Sequence, residues 1–493
     1  MPDARHDRSD RRRDHRGLDG DGGRPEPSLP ATRFASARET GHDSTAGAHP
    51  CGAVRHRIDD HLPSDDLALT PRHRERMTDD SPPPRHPLAP IPTDEATREP
   101  ELGEPDLAIL RERAFNLRWA TVAPGVIPLT AADPDLPAAP CVRGAIAAYA
   151  DSGHFSYGPA AGIDEFRSAV AAHFLLEKSA PIERDRVVAT NAAASAITLV
   201  ARHLLTAGDE VVVQDPVDFL VAESARRAGA RTVAWRAAGG RFTLDGLRAA
   251  VTPRTRAIFV CHPHNPLGTL LAPNEVRAIA AFAAERGIAI VSDEVWSDVV
   301  LDGRPFRSFA AHGGDACTPW VVYGLSKGYA LAGLRIGAVI APDVDAAARF
   351  VASEGFERTT EGASTLSQIA AAAALGEGGA WRRAFLRHAA SMRDRAIGVL
   401  ASLDGVRLSR APEATFVLFP DISGTGLPAE VLAERLESIA RVKVVPGAPR
   451  WFGEGARGHL RLSLATSTEI LDEALARIAR AWPAVIARPT AGS

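Results

Sequence analysis

The sequence predicts an α/β fold, with a mainly parallel central sheet in a large domain and a smaller C-terminal α/β domain. From about residue 105, short and continuously apolar runs alternate with helical stretches. Such runs are typical of strands that helices cover on both faces of a parallel sheet. After about residue 345 the pattern changes to long Ala-rich helices followed by short strands, which indicates the second domain.

The large domain is predicted to contain strands at the short apolar runs that turn residues bound. These strands are Val187–Thr190, Val211–Gln214, Ala257–Cys261, Ile288–Ser292, Trp320–Tyr323 and Ile336–Ile340. Helices are predicted between them at Ala192–Leu205 and Ala222–Ala228, and Pro273 opens another whose apolar residues recur at helical spacing. Ligands bind such sheets at the carboxyl ends of the strands, so we expect the functional site there.

The C-terminal part of the chain predicts shorter elements. Its strands are expected at Phe416–Phe419, Val442–Val445 and Leu460–Leu464, and a closing helix at about 467–482. The N-terminal residues 1–100 differ from both domains, because they are rich in Arg, Asp, His, Pro and Gly and have almost no apolar periodicity. We predict that this extension is disordered and that the natural start lies near Met77.

Composition excludes several classes of protein. The formal net charge of −4 is too balanced to favour nucleic acid as a partner. No apolar run approaches the roughly 18 residues that a membrane helix needs. The four cysteines lie far apart and form neither a zinc-binding pattern nor a disulfide framework, which predicts a cytoplasmic protein.

Lysine is scarce, and the scarcity narrows the chemistry. The chain has only three lysines, Lys178, Lys327 and Lys443. Lys178 is predicted to be a solvated cation at a helix end, and Lys443 to lie at a strand edge. Lys327 instead lies in GLSKGYALAGLRIG (324–337), among small residues that let the backbone approach a ligand closely. A reaction that needs a side-chain amine is therefore expected to use Lys327.

The stretch around Lys327 resembles the signature of the class I/II aminotransferases, which are pyridoxal-phosphate enzymes of fold type I. The segments CHPHNPLG (261–268) and VSDE (291–294) resemble two further motifs of that family, in the same order along the chain. The resemblance covers roughly residues 105–485. It implies an arm at 101–140 that joins the small domain, a large cofactor-binding domain at 141–345, a small domain at 346–485 and a tail at 486–493.

The resemblance implies a role for each motif residue. Lys327 is expected to form the Schiff base with pyridoxal 5'-phosphate and to act as the general base once released. Asp293 is expected to hold the pyridine nitrogen protonated, and Asn265 to donate to the phenolic oxygen of the ring. Arg461, in HLRLSLATS, is expected to bind the substrate α-carboxylate.

The phosphate and the subunit interface follow from the same resemblance. Arg335, the Ser326 hydroxyl and the backbone N–H groups of Ala193 and Ala194 are expected to bind the phosphate at a helix N-terminus. Tyr157, in FSYGPAAG, resembles a tyrosine that reaches the phosphate of the neighbouring subunit. The resemblance therefore implies a homodimer with shared active sites.

Three positions depart from the family pattern. Trp296 stands where a tyrosine usually binds the phenolic oxygen of the ring, so an indole is expected beside the cofactor. Asp218 stands where an aromatic residue usually stacks on the ring, and Phe219 is the candidate to replace it. Ala194 stands where a hydroxyl residue is common in the phosphate loop.

Two enzyme functions remain open on the sequence. The first is an aminotransferase that moves an amino group between an amino acid and a 2-oxo acid. The alternative is a carbon–sulfur β-lyase, because GVIPLTAADPDLPAAPCVRGAI (125–146) and HFSYG resemble lyases of the cystathionine type. A non-catalytic regulator is disfavoured, since no helix-turn-helix pattern precedes the enzyme domain.

Overall fold

The computed structural model describes residues 102–312 and 319–487. The predicted disordered extension, residues 1–100, and the proposed start at Met77 lie outside the described residues. None of the helices in the described ranges has the length and apolarity needed to cross a bilayer.

The described residues form short strands and longer helices in alternation. The strands are β1 (Ile127–Pro128), β2 (Val187–Thr190), β3 (Glu210–Asp215), β4 (Arg231–Arg236), β5 (Thr255–Cys261), β6 (Ala289–Asp293), β7 (Trp320–Gly324), β8 (Gly337–Ile340), β9 (Val417–Leu418), β10 (Val442–Lys443), β11 (Val445–Pro446) and β12 (Leu460–Ser463). The α-helices are α1 (Pro140–Asp151), α2 (Asp164–Lys178), α3 (Ala192–Leu204), α4 (Phe219–Arg227), α5 (Leu244–Ala250), α6 (Pro273–Ala284), α7 (Val344–Ser353), α8 (Thr365–Glu377), α9 (Gly379–Leu400), α10 (Ala429–Arg435), α11 (Pro449–Phe452) and α12 (Thr468–Ile486).

The central sheet has seven strands in the order β2-β8-β7-β6-β5-β3-β4. Only β8 runs antiparallel to its neighbours, so the prediction of a mainly parallel sheet is confirmed. The sequence prediction missed the edge strand β4. It has an exposed arginine at each end, and Trp235 is its only fully buried residue, so it lacks the continuous apolar run of the other strands.

Two apolar cores cover the two faces of this sheet. Successive residues of β3 and β5 alternate between them: Val212 and Ile258 pack in one core, and Val211 and Ala257 in the other. Helices α3, α4 and α7 cover the second face, and α2, α5, α6 and α8 cover the first. This burial on both faces is the physical reason for the continuous apolar runs.

The C-terminal part has a core of its own around β9, β12 and α12. The predicted strand Val442–Val445 is wrong as a single element. Val442–Lys443 pairs in parallel with Ile127–Pro128 of the arm, whereas Val445–Pro446 pairs with β12 in another sheet. The closing helix reaches beyond the predicted end, through Pro483, to Ile486.

Candidate active site

The predicted site residues gather at the carboxyl edge of the central sheet. Asp293 is the last residue of β6, and Lys327 follows the end of β7 at Gly324. Asn265 follows the end of β5, and the N-terminus of α3 follows the end of β2. Because these strands are neighbours, residues far apart in the sequence meet at one edge.

Lys327 provides the amine of the site. Its Nζ donates a hydrogen bond to the carbonyl oxygen of Ala132 at 2.6 Å and lies 5.5 Å from the centre of the Trp296 ring. Burial lowers the pKa of Lys327, although the nearby carboxylates of Asp133 and Asp218 act in the opposite direction. Lys327 is half-buried, and its amine beside a neutral carbonyl is suited to be an uncharged nucleophile.

A cavity of about 630 Å³ opens beside Lys327. One wall comes from the loop that carries Lys327 and Arg335, and the other from two stretches of the arm, 104–117 and 131–137. The cavity has the size of a small-molecule site. The arm therefore forms part of the surroundings of the amine.

Asp293 carries a half-buried carboxyl group. One of its oxygens accepts a hydrogen bond from the main-chain N–H of Val295 at 3.1 Å. Burial is the main reason that the pKa of Asp293 rises to about 6. The hydrogen bond from Val295 and the charge of Lys327 oppose this rise, whereas the nearby Asp218 contributes to it. A carboxyl group in this position lacks a strong cationic partner, which a protonated pyridine nitrogen would supply.

Asn265, Asp218 and Arg461 form a cluster at the same edge. Asn265 Nδ2 donates to Asp218 Oδ2 at 3.0 Å, and Arg461 Nη1 lies 3.5 Å from Asn265 Oδ1. Arg461 Nη2 donates to the carbonyl oxygen of Thr130 at 3.2 Å. The guanidinium is buried, and its Nε has no hydrogen-bond partner among the described residues. Such an arginine fits an anionic ligand such as a carboxylate.

The N-terminus of α3 packs against two glycines that pair across β7 and β8. A Cβ on Gly337 would lie 2.7 Å from the Ala193 nitrogen, and a Cβ on Gly324 would lie 3.1 Å from the Ala193 Cβ. The Asn191 side chain does not cap this helix, which leaves its first N–H groups available to a ligand. Ser326 and Arg335 lie between these two glycines in the sequence, each two residues from one of them. The arrangement fits the phosphate of the implied cofactor.

The remaining predicted residues lie in different surroundings. Trp296 is buried and packs edge-on against Phe416, with 4.7 Å between the ring centres. Phe219 is partly exposed, and its ring packs edge-on against that of Trp451, with 5.7 Å between the ring centres. Tyr157 is 91% exposed, in a segment that is exposed from Asp151 to Pro159. The stacking of Phe219 on the cofactor ring therefore stays a prediction, and so does the contact of Tyr157 with a neighbouring subunit.

The prediction that Lys178 is a solvated cation is wrong. It does end helix α2, but it is only 1% exposed, and its Nζ donates to Asp298 Oδ1 at 2.8 Å. The rings of Phe174, Phe306 and Tyr323 surround the ammonium group. The buried carboxylate of Asp298 offsets the cost of burying this charge. Lys443 lies at the edge of a two-stranded sheet, as predicted, where it pairs with Glu437.

Sequence reasoning missed Asp133 as a neighbour of the amine. Its carboxylate accepts a hydrogen bond from Asn116 Nδ2 at 3.2 Å and lines the cavity beside Lys327. Burial raises the pKa of Asp133, whereas Lys327 lowers it. No sequence signal distinguishes Asp133 from an ordinary loop aspartate, because its proximity to Lys327 depends on how the arm folds back.

Comparison with known proteins agrees with this geometry. Residues 124–478 match the model of the family "Aminotransferase class I and II". The chain is 32% identical to an aspartate aminotransferase of Streptomyces avermitilis, over 72% of this chain and 88% of that protein. It is 33% identical to an arginine–pyruvate transaminase of Pseudomonas aeruginosa, over 72% of this chain and 89% of that protein.

Solved structures give the same result. An aromatic aminotransferase from Pyrococcus horikoshii superposes with a TM-score of 0.68 and 28% identity, over 74% of this chain and 98% of the other. The predictions of fold type I and of an aminotransferase are thereby confirmed. The chain belongs to the class I and II aminotransferases, enzymes that use pyridoxal phosphate to move an amino group between an amino acid and a 2-oxo acid.

Proposed function

We propose that the residues around Lys327 form the cofactor and substrate site of this aminotransferase. The amine of Lys327 is the covalent attachment point, Asp293 faces the ring nitrogen, and Asn265 donates to the phenolic oxygen. The observation that carries this assignment is the position of the Lys327 Nζ, which borders a cavity and donates to a neutral carbonyl oxygen at 2.6 Å. Neither of the other lysines has this combination of burial and access.

The cofactor phosphate and the substrate carboxylate are assigned to two separate sets of residues. Arg335, Ser326 and the N–H groups of Ala193 and Ala194 bind the phosphate, because the glycine pair brings the helix N-terminus to the loop that carries them. Arg461 binds the substrate carboxylate through its guanidinium, whose Nε has no hydrogen-bond partner among the described residues.

The chain's own residues then orient the substrate and move protons. Bound pyridoxal phosphate supplies an electron sink for charge that develops on the substrate α carbon. Lys327 Nζ is the group that takes the proton from this carbon and hands it on, because burial favours its uncharged form. Asp293 keeps a proton on the ring nitrogen, and Arg461 fixes the substrate by its carboxylate.

The β-lyase alternative uses the same residues and differs in the bond that breaks. The relatives described above are aminotransferases, which supports the first function. The purified enzyme, loaded with cofactor, should convert an amino acid to its 2-oxo acid only when a second 2-oxo acid is added as acceptor. Release of pyruvate and ammonia from cystathionine without an acceptor would contradict the aminotransferase assignment.

We further propose a homodimer in which Tyr157 completes the site of the neighbouring subunit. Phe155 and Tyr157 are 68% and 91% exposed, and no residue from Asp151 to Pro159 is buried in the single chain. Two aromatic side chains this exposed in one segment are typical of an interaction surface. A second copy of the chain is the partner that the family resemblance implies.

Hybrid dimers test the shared site. Lys327→Ala and Tyr157→Ala homodimers should both be impaired, each by a different defect. In a dimer with one chain of each kind, one site combines both defects and the other has neither. Unfolding and refolding the two variants together should therefore restore activity above that of either alone. If mixing restores no activity although hybrid dimers form, Tyr157 does not act across an interface.

The cysteines support a cytoplasmic location. Cys141 and Cys261 are both free thiols in the described residues. Free thiols are typical of reducing compartments. We therefore propose that the enzyme acts in the cytoplasm, which fractionation of its native cells would test.

A further inference from the structure

Asp218 is a carboxylate fixed inside the candidate site. Its Oδ1 accepts the N–H of Leu220 at 3.2 Å and caps helix α4, while its Oδ2 accepts from Asn265 Nδ2 at 3.0 Å. The main-chain N–H of Asp218 donates to the carbonyl oxygen of Asn265 at 3.3 Å. Because both carboxylate oxygens and the backbone are engaged, this side chain cannot leave the site without losing a helix cap.

The same carboxylate faces the arginine that is assigned to the substrate. Asp218 Oδ2 lies 3.8 Å from Arg461 Nη1. Arg461 is fixed in turn by the Thr130 carbonyl oxygen and by the Phe452 ring, whose centre lies 4.9 Å from the guanidinium carbon. Both partners are therefore held near each other before a ligand binds.

Charge around the amine is already negative before any substrate binds. The carboxylates of Asp133, Asp218 and Asp293 all raise the pKa of Lys327, and the cation of Arg461 opposes them. An α-carboxylate that binds Arg461 must share the guanidinium with Asp218. A second carboxylate on the same substrate adds another negative charge there, and the other cation that lines the cavity beside Lys327, Arg335, is assigned to the phosphate.

We propose that Asp218 is an internal counter-ion of Arg461 that weakens the binding of substrate carboxylates and selects against dicarboxylic amino acids and 2-oxo acids. This inference rests on the proposed role of Arg461. Amino acids with neutral or cationic side chains meet only the first penalty and are the preferred substrate class. Asp218 thus acts as a specificity-determining residue through Arg461.

Unreactive acids provide the test, because their binding needs no turnover. Calorimetric titration of the pyridoxal-phosphate-loaded enzyme with propionate and with succinate gives one affinity for a monocarboxylate and one for a dicarboxylate. Asp218→Ser retains a helix-capping hydroxyl but withdraws the charge. We expect this variant to bind succinate about tenfold or more tightly than the wild type, with a smaller gain for propionate. Asp218→Asn, which keeps the shape of the side chain, should show the same order of gains.

Asp133→Asn is the matched control, because it removes a carboxylate near Lys327 that does not contact Arg461. Its gain for succinate should be less than about threefold. The inference is wrong if both Asp218 variants bind succinate no better than the wild type, or if Asp133→Asn gives an equal gain.

Arg461→Ala separates this inference from the proposed function. It should weaken the binding of both acids. If Arg461→Ala leaves both affinities unchanged, the proposed role of Arg461 fails, and the inference fails with it. If Arg461→Ala weakens binding but the Asp218 variants change nothing, only the inference about Asp218 fails.

Discussion

Lys327 and Lys178 are both shielded from solvent, but only the surroundings of Lys327 suit the proposed role of a reactive amine. Burial lowers the pKa of both amines. Lys178 is held by Asp298 at 2.8 Å and enclosed by aromatic rings, whereas Lys327 donates to a carbonyl oxygen and borders a cavity. A paired, enclosed ammonium stabilises the fold, and an unpaired amine beside a cavity can react.

The two regions are in direct contact. Gly328 follows Lys327, and a Cβ at this position would collide with the Asp298 side chain. The buried charge pair therefore packs against the loop that carries the proposed reactive amine. The comparison predicts that activity depends on Lys327, that stability depends on Lys178, and that variants can separate the two.

The largest expected effect is on activity at Lys327. Lys327→Ala should lower the rate of transamination by about a thousandfold or more, because it removes both the attachment point and the proton-transfer group. Steady-state assays with an amino donor and a 2-oxo acid acceptor measure this. Lys443→Ala is the control and should keep wild-type activity, since it removes only a half-exposed pair with Glu437. Similar rates for Lys327→Ala and the wild type would show that Lys327 is not the reactive amine.

The next effect is on stability at Lys178. Lys178→Met should lower the free energy of unfolding by about 3 to 5 kcal/mol, because it leaves a buried carboxylate without its closest ammonium partner. Urea unfolding of the cofactor-free protein, at one protein concentration, measures this. Adding Asp298→Asn to the variant should recover part of the loss. A loss below about 1 kcal/mol would show that the pair contributes little to the fold.

The carboxyl group of Asp293 should make the stability of the protein depend on pH. Its pKa is raised from 3.8 to about 6, so the folded cofactor-free protein binds more protons than the unfolded chain between these values. The contribution of Asp293 to stability therefore falls as pH rises through this window, by about 3 kcal/mol in total. The free energy of unfolding of Asp293→Asn minus that of the wild type should therefore depend on pH. This difference should be about 3 kcal/mol larger above pH 6 than below pH 4. Urea unfolding at several pH values, without cofactor, measures the difference. If the difference between the variant and the wild type does not change with pH, the pKa of Asp293 is not raised in the folded protein.

The smallest expected effect is at the glycine pair. Gly337→Ala places a methyl group 2.7 Å from the Ala193 nitrogen, so the helix N-terminus must shift. The affinity for pyridoxal phosphate should fall by about tenfold. Gly333→Ala is the matched control, because its Cβ would meet nothing within 4 Å. Fluorescence titration of the cofactor-free variants compares the two, and equal affinities would argue against the phosphate site at α3.

The sequence alone predicts the sheet and which residues gather in the candidate site, because both depend on local patterns. Continuous apolar runs identify β2, β3 and β5 to β8, and the motifs place Asn265, Asp293 and Lys327 at the carboxyl edge. Lys178 could not be predicted in the same way, since its partner Asp298 is 120 positions away and the helix end around it looks like a solvated one. The edge strand β4 was missed because it is buried on neither face completely. Contacts that depend on tertiary folding, such as Asp133 beside Lys327, leave no periodic signal.

The most direct measurement is to trap the cofactor on its lysine. Borohydride reduces a Schiff base to a stable amine, so the cofactor-loaded enzyme can be reduced, digested and mapped by mass spectrometry. We predict that the peptide with Lys327 carries the reduced cofactor in near-stoichiometric amount, while peptides with Lys178 and Lys443 are unmodified. Modification of Lys178, or an enzyme that retains the cofactor with Lys327 unmodified, would contradict the assignment of Lys327 as the reactive amine.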